Sequence, residues 1–189
     1  KVNLPLTLHL NLTEGKSLGN NTNNKVLSKN GILNGTFIKL LILSFLPKQI
    51  SLRRTYEKQI LNEVICQVNS FKERTGTEKI SLDGHQHIHL VPIVLDSILL
   101  ISSNKKINWV RTTYESIPQG LSLNTWMNII LKGGFLKWTI LQILSLIAKH
   151  KIKKKNIRTN SGFSGVLLTG RMSKEAIIAS INELKVIRK

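Results

Sequence analysis

Histidine is the residue of this chain best suited to chemistry, because its imidazole titrates near neutral pH and is a common ligand for metal ions. Four of the five histidines fall in two segments that are predicted to be strands: His9 in the first, and His85, His87 and His89 in the second. The fifth, His150, lies in a run of lysines and is predicted to be solvated.

The second histidine segment has a spacing that favours a metal site. Side chains alternate along a strand, so Asp83, His85, His87 and His89 are predicted to project to one face. Neighbours on that face are about 6.6 Å apart, whereas a metal–nitrogen bond is only about 2 Å. One or two ligands are therefore expected from this strand, with His9 on a neighbouring strand as a further candidate. A single histidine on a strand is more often a structural residue, and that alternative stays open for His9.

The elements that must position these residues follow an alternating order. Residues 4–13 are predicted to form a strand, with Leu6, Leu8, Leu10 and Leu12 on one face. A polar loop is expected over 19–30, and a helix from an N-cap at Ser51 to about residue 74. A strand over 79–89, a helix over 91–102 and a short strand over 108–111 follow. This α/β order is typical of parallel strands joined by crossover helices.

The last third of the chain is predicted to be mainly helical. Residues 121–149 form a helical stretch with a break at Gly133 and Gly134. Residues 162–168 are expected to be loop or strand. A final helix begins after Ser173 and runs to about residue 186, with Glu175 in its first turn and Ile177, Ile181 and Leu184 facing inward. The helix predicted from Ser51 to about residue 74 has an apolar stripe, formed by Leu52, Tyr56, Ile60, Val64, Val68 and Phe71.

Composition narrows the class of protein. A hydrophobic content of 41% with 20% charged residues is typical of a globular domain, and 189 residues can bury a sizeable core. The single cysteine, Cys66, rules out a disulfide within the chain and suits a reducing compartment, so a cytoplasmic location is expected. No segment reaches the roughly 18 to 20 uninterrupted apolar residues of a spanning helix, so no transmembrane segment is expected.

The net charge of +18 raises the question of a polyanionic partner. The excess is concentrated after residue 100, with the densest run at 149–155. Nucleic-acid binders usually combine basic residues with aromatic ones, and aromatic residues make up only 5% of this chain. A solvated basic surface is therefore favoured. A nucleic-acid or membrane-surface binding module without catalysis remains the alternative function.

Five segments together resemble one known family. Residues 6–15 and 82–89 resemble the two histidine motifs of the YdjC-like carbohydrate deacetylases, which read LTLHLNLTEG and LDGHQHIH here. That family includes chitooligosaccharide deacetylases and hopanoid-biosynthesis-associated deacetylases. Residues 111–115 (RTTYE) resemble its arginine-containing strand, and residues 162–165 (GFSG) and 170–173 (GRMS) resemble its late segment. The segments occur in the order of the family.

The resemblance implies a (β/α) barrel-like deacetylase fold and a divalent metal, Mg²⁺ or alternatively Zn²⁺. The implied reaction is hydrolysis of the linear amide C–N bond of an N-acetyl group on a carbohydrate. His9 and His85 correspond to metal ligands of the family. Asp83 and His87 are expected to support those ligands. Arg111 is expected to line the substrate pocket or to form a structural ion pair, and Phe163 to stack on a sugar ring or to pack in the core.

The chain departs from the family pattern at both ends. The third metal ligand and the general base of the family come from a paired-aspartate motif, but Asp83 and Asp96 are the only aspartates here. A late His-Pro-Gly segment, which would supply the acid, is also missing. Residues 1–189 are therefore expected to be a single, partial catalytic domain, incomplete at both ends, and the catalytic residues stay unassigned.

The expected partners are an N-acetylated oligosaccharide or glycolipid and a second copy in a homodimer. A different metal hydrolase, such as a phosphoesterase, would need more carboxylates.

Overall fold

Three short parallel strands form the sheet that carries the histidine segments. They are β1 (Thr7–Leu10), β4 (Ile80–Gly84) and β5 (Ile107–Val110), in the order β1-β4-β5. The computed structural model describes residues 6–19, 26–131, 133–170 and 173–187. Both strand pairs are parallel, so the predicted α/β arrangement of parallel strands joined by crossovers is confirmed.

Strand β1 has one buried and one exposed face, as its alternation predicts. Leu8, Leu10 and the following Leu12 are buried, whereas His9 points outward. Leu6 is exposed, so its predicted place on the buried face is wrong; it precedes the first paired residue of the strand. The predicted strand began at residue 4, which lies outside the described residues. In the observed register, His9 lies opposite Asp83 of β4.

Helices α1 (Phe37–Phe45), α2 (Ser51–Thr75) and α3 (Pro92–Lys105) also belong to this part of the chain. Four residues of the predicted stripe on α2 are fully buried, namely Tyr56, Ile60, Val64 and Val68. Leu52 is exposed, contrary to the prediction, because it lies in the first turn of the helix. Ser51 is the first helical residue and not the cap. Gly76 ends α2 in the left-handed conformation with φ 67°.

Polar side chains on α2 hold the loop that follows β1. The Glu63 carboxylate accepts hydrogen bonds from Ser17 Oγ at 2.6 Å and from the Gly19 amide at 2.8 Å. Gln67 accepts from the Asn11 amide at 3.1 Å and donates to the Asn11 carbonyl at 2.5 Å. The loop containing Glu14 is thus held at both ends by one helix.

Of the region predicted to be a loop over 19–30, the structure describes residue 19 and residues 26–30. Its last residues belong to a short hairpin, β2 (Ser28–Lys29) and β3 (Ile32–Leu33), which the sequence reading missed. Residues 20–25 of the predicted loop lie outside the described residues. Strands of two residues carry too little alternation to be recognised in a sequence.

The chain divides into two compact units, Lys1–Arg111 with Ile152–Arg158, and Thr112–Lys151 with Thr159–Lys189. The later helices are α4 (Leu123–Leu131), α5 (Gly134–Lys154) and α6 (Lys174–Ile187). The predicted break between the first two is confirmed. Ser173 caps α6, because its Oγ accepts from the Ala176 amide at 3.2 Å.

The predicted inward face of α6 is wrong in part. Ile177 and Ile181 are exposed, while Ala176 and Ser180 are buried. The buried face is therefore one residue position away, and it packs small side chains. Ala176 belongs to a small core of the second unit with Ile129, Leu167 and Leu168. Small residues allow a close approach between elements, which a search for large apolar residues overlooks. The side chain of Glu175 lies outside the described part of the chain.

No single helix among the described residues has the length and apolar composition needed to cross a membrane. The pair α4 and α5, bent by 77° at the break between them, meets the same test when taken together.

Candidate functional site

The second histidine segment leaves the strand at its midpoint. Strand β4 ends at Gly84, and His85–Leu90 form consecutive tight turns in which Gln86 and His87 have left-handed backbones, with φ 50° and 62°. The prediction of three histidines on one strand face is therefore wrong. The turns direct His85 outward and bring His89 back into the core.

Gly84 is needed because the chain folds back tightly upon it. A Cβ atom at position 84 would lie 2.5 Å from His89 Nδ1 and 2.9 Å from His89 Cβ. No side chain other than hydrogen fits that gap. The glycine between Asp83 and His85 was visible in the sequence, but only the fold shows which contact excludes a larger residue.

His89 is a structural residue. Its side chain is fully buried, and Nε2 donates to the Arg111 carbonyl at 2.9 Å. Burial lowers the pKa of His89 from 6.5 to about 4, with the nearby His87 and Arg111 charges acting in the same direction and the carbonyl and Asp83 opposing them. The imidazole is therefore neutral at pH 7 and links the turn after β4 to the end of β5.

His9 and His85 come together at the carboxyl ends of β1 and β4. Their ring centroids are 5.7 Å apart and their planes are nearly perpendicular, at 84°. Both side chains reach the surface, with exposed fractions of 53% for His9 and 30% for His85. The carboxyl edge of a parallel sheet is the usual place for ligand sites in α/β proteins. The two histidines singled out as ligands are thus neighbours, although 76 residues separate them in sequence.

Each imidazole has a carboxylate beside one of its nitrogens. His9 Nδ1 lies 3.2 Å from Asp83 Oδ2, and His85 Nε2 lies 3.2 Å from Glu14 Oε1. An ionised carboxylate can only accept, so the Asp83 carboxylate places the proton of the His9 imidazole on Nδ1. The other nitrogen then has its lone pair available. This carboxylate–histidine pairing is the arrangement that orients histidine ligands in metal sites.

Glu14 is the residue of this cluster to which the sequence reading gave no role. It lies four residues after the end of β1, on the loop held by Glu63 and Gln67. An acidic residue just after a strand that carries a histidine was the available signal, because such a residue stands at the same carboxyl edge of the sheet. Its partner His85 lies in the turn that follows β4. The sequence alone does not show that this turn meets the loop after β1.

Asp83 is the centre of the cluster. Its Oδ2 faces His9, while its Oδ1 forms an ion pair with the Arg111 guanidinium and accepts from the Gly84 amide at 2.5 Å. Arg111 is thus in the structural ion pair that was one of its two expected roles; its contact with a substrate stays a prediction. His87 is half-buried two residues beyond His85, and its supporting role is likewise untested.

His9 and His85 have side chains of the type that binds divalent metals. His9 and His85 offer two imidazole nitrogens, each with a carboxylate behind it, which fits two positions of a coordination sphere. Within the ranges that the structure describes, no group of three or more His, Cys, Asp or Glu residues is arranged to hold a metal ion. Metal binding by His9 and His85 therefore stays a prediction.

Phe163 belongs to the second unit. Its amide donates to the Tyr114 carbonyl at 3.1 Å, and its side chain is half-buried. The loop after it is fixed by Glu115, which accepts from the amides of Gly165, Val166 and Leu167, the last at 2.9 Å. Burial raises the pKa of Glu115, and these backbone hydrogen bonds oppose the rise. The stacking role of Phe163 stays a prediction.

The comparisons with known proteins address the same segments. The family model described as "YdjC-like protein" matches residues 1–188. The chain belongs to this family. The suspected family is thereby confirmed, and the match includes both histidine motifs.

Curated relatives of this YdjC-like chain are similar at low identity. A carbohydrate deacetylase of Xenopus laevis is 23% identical over 181 residues, which cover 94% of this chain and 56% of the relative. A carbohydrate deacetylase of Danio rerio is 28% identical over 116 residues, which cover 61% of this chain and 35% of the relative. The chain thus spans about half or less of the length of these relatives. No solved structure gives a significant match.

Proposed function

We propose that this chain is part of a metal-dependent carbohydrate deacetylase that hydrolyses the N-acetyl amide of an oligosaccharide or glycolipid. His9 and His85 are the metal ligands that it contributes. The observation that carries the proposal is the pair of adjacent imidazoles, each backed by a carboxylate, at the carboxyl edge of the sheet. The family match and the names of both relatives support the same reaction class.

The residues around the pair have distinct tasks in this proposal. Asp83 holds the Nδ1 proton of His9, which leaves Nε2 for the metal, and Glu14 does the same for His85 through the opposite nitrogen. Arg111 fixes Asp83 by the ion pair. A divalent ion held by His9 and His85, Mg²⁺ or Zn²⁺, would supply positive charge that polarises the acetyl carbonyl and stabilises the developing oxyanion.

The remaining groups of the proposed site lie outside the residues described. A third ligand, a base that takes the proton of the attacking water and an acid that protonates the sugar amine are all required for amide hydrolysis. The paired aspartates and the late histidine of the family suit these three tasks. Closure of the sheet into a barrel, with the strand that carries the aspartates beside β1, belongs to the same proposal.

Metal binding by the chain tests the proposal. Isothermal titration with Zn²⁺ and with Mg²⁺ is carried out on the wild type, His9→Ala, His85→Ala and the matched control His150→Ala. The first two variants are expected to lose at least about tenfold in affinity, as is typical of lost ligands or their partners. The control should bind like the wild type.

Two results would contradict the assignment of ligands. One is an equal loss in His150→Ala, which would indicate binding to exposed histidines in general. The other is unchanged binding in both site variants. If the wild type binds, release of acetate from N-acetylated chitooligosaccharides, measured with the upstream and downstream segments of the protein present, tests the reaction itself.

A further inference from the structure

Helix α4 presents a row of large apolar side chains to solvent. Leu123, Met127, Ile130 and Leu131 have exposed fractions from 58% to 83%. Their spacing of i, i+4, i+7 and i+8 places them on one side of the helix. The opposite side carries Ile129, which is buried in the core of the second unit. The helix is therefore apolar on both its inner and its outer side.

Helix α5 repeats this pattern in its first fifteen residues. Exposed apolar residues lie along one side, with exposed fractions from 42% to 65%: Phe135, Leu136, Ile143, Leu146 and Ile147. The inner side is also apolar and buried, through Leu141, Leu144 and Ala148. We call the nine exposed residues of the two helices the α4–α5 face.

Nine large exposed apolar side chains on two consecutive helices favour an interaction surface. Single exposed apolar residues are common on soluble proteins, but a contiguous apolar patch usually marks an interaction site. The two helices together also have the length and composition of a bent membrane segment.

The charges around the face indicate which partner it fits. Residues 116–174 contain ten Lys or Arg residues and no Asp or Glu. The apolar side of α5 is followed in the sequence by the run 149–155, which has five lysines and one histidine. Apolar residues next to lysines, without acidic residues, are the composition of helices that lie in the surface of an anionic bilayer.

We propose that the α4–α5 face docks on the surface of an anionic lipid bilayer. The apolar side chains enter the boundary between headgroups and acyl chains, and neighbouring lysines contact the lipid phosphates. A second copy of the chain is a poorer occupant, because a symmetric pair would bring two such basic segments together. This docking is independent of the metal ligands at His9 and His85, and it would bring the protein to membrane-bound substrates.

Vesicle binding tests the docking. The 189-residue chain is sedimented with vesicles of phosphatidylcholine alone and of phosphatidylcholine with phosphatidylglycerol. Binding is expected only with the anionic lipid, and it should weaken as salt is raised. The double variant Leu136→Glu/Ile143→Glu should bind at least about tenfold more weakly, because it replaces two inserted side chains by carboxylates. Leu100→Glu, on an equally exposed residue of α3, is the matched control and should bind like the wild type.

A second pair of variants reports insertion without removing apolar surface. Met127→Trp on the face and Leu100→Trp outside it are mixed with vesicles that contain brominated lipid. Quenching of tryptophan fluorescence above the wild-type level is expected for Met127→Trp alone. Absence of binding to anionic vesicles, equal binding by the double glutamate variant, or equal quenching of both tryptophan variants would overturn the docking. A dimer seen by light scattering that the double glutamate variant dissociates, without vesicle binding, would also overturn it and assign the face to a second copy.

Discussion

The buried His89 makes the stability of the chain depend on pH. Its pKa is about 4 in the folded chain, against 6.5 when it is solvated. Between these values the unfolded chain binds more protons than the folded one, so stability is fully present above pH 6.5 and falls as the pH is lowered toward 4. Each pH unit in that window is worth about 1.4 kcal/mol, which gives a loss of about 2 kcal/mol between pH 7 and pH 5 from this residue.

Urea unfolding of the wild type and of His89→Gln at pH 7, 6 and 5 measures how much of the loss in unfolding free energy is due to His89. The glutamine amide can still donate to the Arg111 carbonyl but does not titrate in this range. The variant is expected to lose about 2 kcal/mol less than the wild type over the same interval. Glu115 changes the stability in the opposite direction: its pKa is raised in the folded chain, so its contribution to stability increases as the pH falls. Both proteins contain Glu115, so its effect cancels when their pH dependences are compared. Equal pH dependence in the two proteins would refute the assignment of a buried neutral imidazole.

Three further changes test the contacts around the site and the second unit. Gly84→Ala should destabilise the chain by roughly 1–3 kcal/mol in urea unfolding, because its Cβ would overlap His89, and an unchanged urea midpoint would contradict that overlap. Asp83→Asn should weaken Zn²⁺ binding by about 10-fold or more in calorimetry, because the His9 ring loses its carboxylate; unchanged affinity would rule out that orienting role. Glu115→Gln should lower the unfolding free energy by about 1–3 kcal/mol, because an amide nitrogen cannot accept from backbone N–H groups, and an unchanged thermal midpoint would contradict it.

The sequence predicted most of the elements because their periodicities are strong. The alternation of leucines around His9 and the stripe from Tyr56 to Val68 each correspond to a buried face. The parallel order of the strands followed from the alternation of strands and helices. These features depend on neighbours close in sequence, which a single chain displays directly.

The arrangement of the site could be predicted only in part. The fold brings His9 and His85 together. The strand spacing made His9 a candidate, but the choice of His85 among the three histidines of its segment rested on family resemblance, and the role of the pair as metal ligands stays a prediction. The periodicity of the second histidine segment was misleading, since two left-handed residues end the regular spacing after Gly84. The pairing of Glu14 with His85 joins the segments that follow two different strands, and no local pattern encodes such a contact.

The turn after β4 makes one short stretch of chain serve two separate purposes. Within six residues, Gly84 and His89 secure the fold, while His85 faces solvent. In a mutational library sorted only for folded, protease-resistant chains, positions 84 and 89 should therefore tolerate few replacements, whereas positions 9 and 85 should accept many. Sorting the same library for bound metal should restrict all four. Comparing the replacements tolerated at each position in the two sorted libraries would distinguish residues needed for folding from residues needed only for metal binding.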